Sequence, residues 1–542
     1  MTGVRNPPLV SRRNVLRTGF AGISAAAVGA YGLHAGRAQE TGSTPAATPA
    51  SSTFLTEDLV RAFVTDAEVA MATFRVPGAA VALVEGDRIV YAGGFGVCDL
   101  ETGTPVTDRT RFRIASNTKS MTSLLVATFV DEGILAWDDL VIDHWPEFQA
   151  PTAELTGSLR VRDLLGMGSG IEESPTIEFF ISGGGETALD VLRSIANLEV
   201  FAPPATAYAY NNTLVSAAGY LGPMVQGTPP DELERAYAAL VAERIFAPIG
   251  MDDAAILDDP RPLGGDDAVG HSYDLFGHAS AVPFVSIGGV APAGSGLASA
   301  ADMARYLLTQ MSGGVTPDGT RIVSTANLAE THKPGIAVPP DALNALPSIL
   351  LSDTTAMHYA LGWFDQTFID GRRLLWHAGG IDGFGSLMGF FPEDEIGFVF
   401  LTNLEPGAGG SLFNIAIQSS LMSRVFGLNQ ALPNLLAGFV PLLDDQKAQL
   451  AAQTRPVVPD EVAPWLGLYS DGFFLRLDDA GGLWLDHDIR SLPLLALADG
   501  GYVMVDGPGV ISARTVTFAE DATGLPTMSI DGFDTVRWLT GG

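Results

Sequence analysis

The sequence predicts an α+β protein in which one antiparallel sheet flanked by helices is followed by a small all-β, barrel-like domain. Three observations support this fold class. Strand-like runs form hairpins near both ends of a long segment, helical patterns fill the middle of that segment, and short alternating strands dominate the C-terminal tail. Because the helices lie between the two hairpins, a single sheet assembled from both ends of the segment is favoured.

The composition limits the possible functions. The chain has 542 residues, 47% of them hydrophobic, which is enough for a large core. Its 62 acidic and 30 basic residues give a formal net charge of −32, which excludes a protein that binds the phosphates of nucleic acids. The single cysteine, Cys98, excludes a disulfide framework, and its apolar surroundings predict a buried small side chain rather than a nucleophile.

Residues 1–38 predict an export signal. Arg12-Arg13 forms a twin-arginine block, and the Ala/Gly-rich run 19–33 after it is apolar but too short to span a bilayer. Cleavage is expected after Ala38, and no cysteine follows for attachment of a lipid. We therefore predict export to the periplasm or the extracellular space, with no stable membrane span after removal of the signal. An uncleaved N-terminal anchor is the alternative.

Changes in composition predict the domain boundaries. Residues 39–53 are rich in Pro, Ser, Thr and Ala and lack periodicity, so a disordered linker is expected there. The large domain is expected over residues 54–427, a connector over 428–458 and the all-β domain over 459–542.

The large domain begins and ends with a predicted hairpin. In the first, the strand-like runs 79–84 and 88–93 flank a short turn that contains glycine. In the second, the runs 386–391 and 396–402 surround a polar turn. These four runs are the predicted strands of the common sheet.

Helical periodicity lies between the hairpins, over residues 121–130, 230–246 and 300–310. Ser299 is the predicted N-cap of the last helix. A short helix is also expected in the connector, over 442–453.

The C-terminal tail changes to strand-like alternation. Residues 473–477 and 483–486 alternate around a turn, and further short strands continue as far as Trp538. A tail of this size built from such strands predicts a small barrel.

Ser116 and Lys119 form the first motif with chemical potential. A serine and a lysine three residues apart at the start of the predicted helix lie on the same helix face, so the amine reaches the hydroxyl. A buried lysine, whose charge is disfavoured by desolvation, can accept the proton of a serine nucleophile. The alternative is that Ser116 only caps the helix and Lys119 is solvated.

Tyr210 and Asn212 form the second motif. A phenol held near an ammonium ionises more easily, so Tyr210 is a candidate second base, and the Asn212 amide both donates and accepts hydrogen bonds. The alternative is an aromatic packing residue followed by a turn.

The third motif is His377 with Gly379 and Gly380 before the second hairpin. Small residues on a strand allow a substrate to approach closely, and the amide of Gly380 is a candidate oxyanion donor together with the amide of Ser116. The alternative is a glycine-rich strand end with an incidental histidine.

Other catalytic and cofactor patterns are missing from the sequence. No G-x-S-x-G elbow, H-E-x-x-H motif or nucleotide-binding glycine loop occurs. His271 and His278 are too far apart for a metal pair on adjacent helical turns and are expected in loops. No cofactor and no metal are predicted.

Taken in this order, the three motifs resemble those of the serine β-lactamase and penicillin-binding protein superfamily, in particular its class C β-lactamase-like branch. The family motifs Ser-x-x-Lys, Tyr-x-Asn and Lys-Thr-Gly fall on Ser116 and Lys119, on Tyr210 and Asn212, and on His377-Ala378-Gly379. The resemblance covers about residues 54–427 and implies a nucleophile where sheet meets helix. The tail is similar to the lipocalin-like domains appended to some peptidases and hydrolases of this group.

Two departures from the family pattern bear on the substrate. His377 replaces a lysine, which removes a permanent cation that would bind the carboxylate of a β-lactam or peptide, and an unperturbed imidazole changes charge near neutral pH. The segment Leu165-Gly166-Met167-Gly168-Ser169 resembles esterase and 6-aminohexanoate-dimer hydrolase members. Penicillin is therefore not the expected substrate, and both amides and esters are candidate substrates.

The predicted function is an exported serine hydrolase that works through an acyl-enzyme on a small-molecule or peptide substrate. The predicted catalytic residues are Ser116, Lys119 and Tyr210. The predicted substrate-binding residues are Asn212, His377, Gly379 and Gly380. The alternatives are a non-catalytic binding protein of the penicillin-recognising type, and a true β-lactamase or D-alanyl-D-alanine carboxypeptidase. The sequence does not determine the oligomeric state.

Overall fold

The computed structural model describes most of the chain from Phe54 onwards. The described residues are 54–173, 187–256, 265–273, 279–284, 286–339, 353–430, four separate positions between 438 and 445, and, with short gaps, 448–540. The predicted signal (1–38), the predicted linker (39–53) and part of the predicted connector helix lie outside the described residues. Within the described part of the chain, no helix is both long enough and apolar enough to cross a bilayer.

The strands of the large domain are numbered in chain order. They are β1 Gly78–Glu85, β2 Arg88–Gly96, β3 Phe112–Arg113, β4 Ala255–Ile256, β5 His271–Tyr273, β6 Ala279–Ala281, β7 Gly296–Ala298, β8 Ile336–Ala337, β9 Thr354–Tyr359, β10 Phe364–Phe368, β11 Arg373–Ile381, β12 Phe384–Phe391 and β13 Ile396–Thr402.

Eight of these strands form one antiparallel sheet in the order β2-β1-β13-β12-β11-β10-β9-β8. The N-terminal hairpin joins the C-terminal one through β1 and β13, with Val81 opposite Phe400. Both predicted hairpins are confirmed, since β1 pairs with β2 and β12 pairs with β13. The α+β fold class and the assembly of one sheet from both ends are therefore confirmed.

The α-helices are also numbered in chain order. They are α1 Glu57–Phe74, α2 Thr118–Asp131, α3 Val141–His144, α4 Ala153–Thr156, α5 Val161–Leu165, α6 Ala188–Ser194, α7 Asn212–Val225, α8 Leu233–Val241, α9 Ala247–Ile249, α10 Ala291–Gly294, α11 Ala300–Met311, α12 Thr325–Thr331, α13 Gly410–Phe426 and α14 Pro459–Val462.

Helices cover both faces of the sheet. Alternate residues of a strand point to opposite faces. On β13, Phe400 packs against Phe63 of α1, whereas the neighbourhood of Gly397 is filled by Leu307 of α11. Since positions 397 and 400 face opposite ways, α1 and α11 lie on opposite sides. This explains why β12 and β13 are buried along their whole length.

Two of the three predicted helices match well, and the third is broken. The predicted helix 121–130 lies within α2, and α11 begins at a capping box made by Ser299 and Asp302. The run 230–246 is not one helix. It contains a 3₁₀ turn, then α8, and then a π-helical turn over Ala242–Phe246.

The C-terminal region contains a second, nearly closed, barrel-like antiparallel sheet. Its strands are β14 Thr454–Arg455, β15 Gly467–Tyr469, β16 Phe473–Leu477, β17 Leu483–His487, β18 Arg490–Leu497, β19 Tyr502–Val505, β20 Ala513–Glu520, β21 Pro526–Ile530 and β22 Val536–Thr540. Pairing runs from β18 through β17, β16, β15, β22, β21 and β20 to β19, and β19 also pairs with β18. Buried apolar side chains such as Leu475, Leu485 and Met528 fill its core.

Two single-residue expectations have different outcomes. Cys98 is buried, as predicted, and burial raises the pKa of its thiol, which disfavours the thiolate. The placement of His271 in a loop is wrong, because it lies buried in β5 and accepts a hydrogen bond from the backbone of Leu100. His278 lies outside the described residues.

Candidate active site

Ser116 lies in a tight turn at the start of α2. A 3₁₀ turn over Ala115–Asn117 leads directly into the α-helix. Ala115 has a φ of 45°, a left-handed conformation that costs a non-glycine residue about 1–3 kcal/mol. Residues 112–115 and 117–129 are buried, whereas Ser116 between them is partly exposed. The turn therefore presents the Ser116 hydroxyl at the surface of a buried segment.

Lys119 lies one turn further along and contacts Ser116. Residues three apart lie on the same face of a helix, and the distance from Lys119 Nζ to Ser116 Oγ is 2.9 Å. The amine also donates to the Oδ1 of Asn212 at 2.7 Å and to the carbonyl of Ala293, on α10, at 2.8 Å. The predicted Ser116–Lys119 pair is thus brought together, with its orientation held by two further contacts.

The charge of Lys119 is destabilised by its surroundings. The residue is fully buried, and desolvation lowers the pKa of its amine to about 7, although the nearby Glu173 carboxylate opposes this shift. Near neutral pH, a large fraction of Lys119 is therefore neutral. A neutral amine has a free electron pair, so it can accept the proton of the Ser116 hydroxyl.

Asn212 is the first residue of α7. The side chain of Asn211 caps this helix by accepting from the backbone of Leu214 at 2.8 Å. The next residue, Asn212, reaches Lys119 as described above. The alternative interpretation of this motif places a turn here, but the two asparagines begin a helix instead. Asn211 caps the helix, and Asn212 contacts the amine of Lys119.

Tyr210 presents the face of its ring to Lys119. The amine nitrogen lies 4.7 Å from the ring centroid, a distance typical of a cation–π contact. The ring also packs edge-to-face against Tyr359, with the centroids 6.4 Å apart, and lies 6.3 Å from the imidazole of His377. The structure therefore places Tyr210 next to the Ser116–Lys119 pair.

His377 is buried next to Tyr210. Its Nδ1 lies 2.6 Å from the carbonyl of Ala378, and its Nε2 lies 3.0 Å from the hydroxyl of Tyr359. Because a carbonyl only accepts, Nδ1 carries the proton, and Nε2 accepts from Tyr359. Both ring nitrogens are thus engaged within the protein.

The imidazole of His377 does not titrate near neutral pH. Burial, reinforced by the charge of Lys119, lowers its pKa to about 3. The expectation that its charge changes near neutral pH is therefore wrong. The role of His377 in substrate binding stays a prediction.

We expect a His377→Gln variant to keep the midpoints of the wild-type pH–rate profile between about pH 5 and pH 8, because His377 stays neutral there. Ester hydrolysis measured across this range checks the midpoints. The rate itself is expected to fall by roughly 10-fold, since the packing around Tyr210 changes. An inflection that is present in the wild type and lost in the variant would contradict the neutral imidazole.

The two glycines on β11 differ in their surroundings. A Cβ on Gly379 would lie 2.3 Å from the carbonyl oxygen of Ile114 and 2.3 Å from Ser386 Oγ, so the close approach here is to the protein itself. Gly380 is exposed next to it. The requirement for glycine at 379 therefore comes from packing against the segment that precedes Ser116, and the substrate contacts of both glycines stay predictions.

Three contacts of this site were missed by the sequence analysis. They are the Ala293 carbonyl on Lys119, the Tyr359 hydroxyl on His377 and the Glu173 carboxylate at the start of α7. None lies in a motif. Glu173 follows the Leu165–Ser169 segment closely, but the sequence does not distinguish it from its neighbour Glu172.

The described residues contain no group of three or more His, Cys, Asp or Glu side chains placed to hold a metal ion.

Comparison with solved structures shows the same fold. An octameric penicillin-binding protein homologue from Pyrococcus abyssi matches 88% of this chain and 99% of its own, with a TM-score of 0.58 and 22% identity. The D-amino acid amidase of Ochrobactrum anthropi SV3 matches 68% of this chain and 99% of its own, with a TM-score of 0.54 and 22% identity.

Comparison with curated proteins gives relatives over part of the chain. The unguisins hydrolase ungD′ of Aspergillus campestris is 29% identical over 354 residues, which are 61% of this chain and 58% of the relative. The protein flp of Staphylococcus aureus is 24% identical over 331 residues, which are 61% of this chain and 60% of the relative. The chain thus spans about three fifths of the length of these relatives.

A family model described as Beta-lactamase matches residues 59–418. The match includes β1 and β13, which pair with each other in the sheet, and the Ser116–Lys119 pair, which lies between these two strands along the chain. This match covers more than half of the chain, so the chain belongs to the β-lactamase family of serine hydrolases.

Proposed function

We propose that this protein cleaves an amide or ester bond through an acyl-enzyme formed on Ser116. The observation that carries the proposal is the 2.9 Å contact between the hydroxyl of the partly exposed Ser116 and the amine of the buried Lys119. A non-catalytic binding protein has no need of a serine paired with an amine whose pKa is lowered to about 7.

In the first half of the reaction, neutral Lys119 accepts the proton of Ser116 as the oxygen attacks the carbonyl carbon of the substrate. The new bond gives a tetrahedral oxyanion, for which the amides of Ser116 and Gly380 are the proposed donors. The bond to the leaving amine or alcohol then breaks. The leaving group takes the proton from Lys119, and an ester of Ser116 remains.

In the second half, water attacks this ester and gives its proton to Lys119. The bond between the acyl carbon and Ser116 Oγ then breaks, and Oγ takes the proton from Lys119. The acyl group leaves as the carboxylic acid, and the Ser116 hydroxyl and the neutral amine are restored. Asn212 holds the amine in place throughout. Tyr210, whose ring lies 4.7 Å from that amine, is the proposed partner in moving the proton.

The names of the similar proteins favour amide substrates over esters. One curated relative is named as a hydrolase and one structural neighbour as a D-amino acid amidase. We therefore propose a peptidase-, amidase- or esterase-like activity after export through the N-terminal signal. We further propose that residues 54–427 form the catalytic domain and that residues 459–542 form a lipocalin-like accessory domain.

The test is labelling of the mature protein with a fluorophosphonate probe, followed by mass spectrometry of the labelled peptide. We expect the label on Ser116, because the probe reacts with serines whose proton is removed by a neighbouring base. A label on another serine, or none, would contradict the proposed function. Comparison of p-nitrophenyl esters with p-nitroanilides of D- and L-amino acids then separates esterase from amidase activity.

Removal of the C-terminal barrel-like sheet is expected to spare the nucleophile. All contacts of Ser116 and Lys119 described above come from residues before Gln430, and β14 belongs to the barrel-like sheet because it pairs with β18. A chain that ends after Gln430 should therefore still be labelled at Ser116, with an altered preference between short and long acyl esters. A truncated chain that is folded by circular dichroism yet unlabelled would show that the tail supplies catalytic groups.

A further inference from the structure

Glu173 binds the first turn of α7. Its Oε2 accepts the backbone N–H of Asn212 at 2.5 Å and that of Thr213 at 3.0 Å, and its Oε1 accepts the Thr213 hydroxyl at 2.6 Å. The N–H groups in the first turn of a helix have no partner within the helix. A carboxylate placed there satisfies two of them and interacts favourably with the positive end of the helix dipole.

This contact complements the cap made by Asn211. The Asn211 side chain accepts from Leu214 in the same turn and donates to the carbonyl of Ile171 at 3.3 Å. Ile171 also forms a bridge with Val200, and the backbone of Glu172 donates to the carbonyl of Glu199. The segment that carries Glu173 is therefore tied both to the helix start and to the chain that leads to it.

The residue held by Glu173 is the one that contacts the amine. The backbone N–H of Asn212 donates to the Glu173 carboxylate, and the side-chain Oδ1 of Asn212 accepts from Lys119. A shift of the first turn of α7 would therefore move Asn212 Oδ1 away from Lys119 and release one of the contacts that orient the amine towards Ser116.

We propose that Glu173 is a positioning residue of this site, which holds the start of α7 so that Asn212 and Lys119 stay aligned with Ser116. The proposal rests on the proposed acyl-enzyme function. It assigns Glu173 two effects, a geometric one through Asn212 and an electrostatic one on Lys119.

The electrostatic effect has a definite sign. Among the described residues, the titratable groups that face Lys119 are Glu173 before α7, Tyr210 at the approach to α7 and His377 on β11. The Glu173 charge raises the pKa of Lys119 against the larger effect of burial. Loss of that charge lowers the pKa of Lys119, so more of the amine is neutral at low pH. The acid limb of the Ser116 reaction then moves to lower pH.

The experiment measures the rate of fluorophosphonate reaction at Ser116 between about pH 5 and pH 9 in the full chain. In Glu173→Gln, we expect an acid limb shifted to lower pH and a plateau rate reduced by roughly 10-fold or more, because the start of α7 is held less firmly. In Glu173→Asp, which keeps the charge but shortens the reach, we expect the wild-type midpoint with a reduced plateau.

The matched control is Glu172→Gln, which removes the same charge from the exposed neighbouring residue. This variant should follow the wild-type profile in both midpoint and plateau. A Glu173→Gln protein with the wild-type midpoint and plateau would overturn the proposal. If that variant does not fold, wild-type rates for Glu173→Asp at every pH would overturn it. Failure of the wild type to react at Ser116 would instead refute the proposed function.

Discussion

Replacement of Ser116 by alanine is expected to abolish both fluorophosphonate labelling and the hydrolysis of p-nitrophenyl esters. The Ser116 hydroxyl is the partly exposed group that lies 2.9 Å from the buried amine, and alanine removes the attacking oxygen without adding volume. The expected fall is roughly 10⁴-fold or more, the scale of the loss of a nucleophile. Steady-state hydrolysis and mass mapping of the probe measure the two effects.

Ser123 provides the control for this experiment. It lies on the same helix, its hydroxyl is buried and it has no hydrogen-bond partner among the described residues. Ser123→Ala should therefore keep labelling and hydrolysis near wild-type levels. If Ser116→Ala hydrolysed the esters at the wild-type rate, a different residue would carry the acyl group.

Replacement of Lys119 by methionine is expected to lower the acylation rate by roughly 10²-fold to 10⁴-fold, the range for a lost general base. Methionine fills a similar volume in the buried site but cannot accept a proton. Rapid-mixing measurement of the reaction at Ser116 gives this rate directly, and circular dichroism checks that the variant folds.

The pH dependence of the same reaction tests whether Lys119 acts as the general base. In the wild type, the rate should rise with pH through a midpoint near 7, because the pKa of Lys119 is lowered to about 7 and the neutral form accepts the proton. This limb should disappear in Lys119→Met. Lys333→Met, at an exposed lysine paired with Glu330, should keep the limb and the rate. Unchanged acylation in Lys119→Met would refute the role of Lys119 as base.

Several features of the fold followed from local sequence. Both hairpins of the large domain, the helix after Ser116 and the start of α11 at Ser299 depend on residues close in the chain, through alternation, capping and turn chemistry. The break in the predicted helix 230–246 was missed, although Pro248, two residues after the π-helical turn, has no N–H to donate to the carbonyl of Arg244.

For the candidate site, the sequence by itself determined the residue types, the three-residue spacing of Ser116 and Lys119 and the order of the motifs. Tertiary structure decided the rest. Asn212, 93 residues from Lys119, and the Ala293 carbonyl, 174 residues from it, meet the amine only because α7 and α10 pack against α2. Burial then lowers the pKa of Lys119 and keeps His377 neutral. Desolvation is a property of the folded surroundings of a side chain, and the local sequence does not encode it.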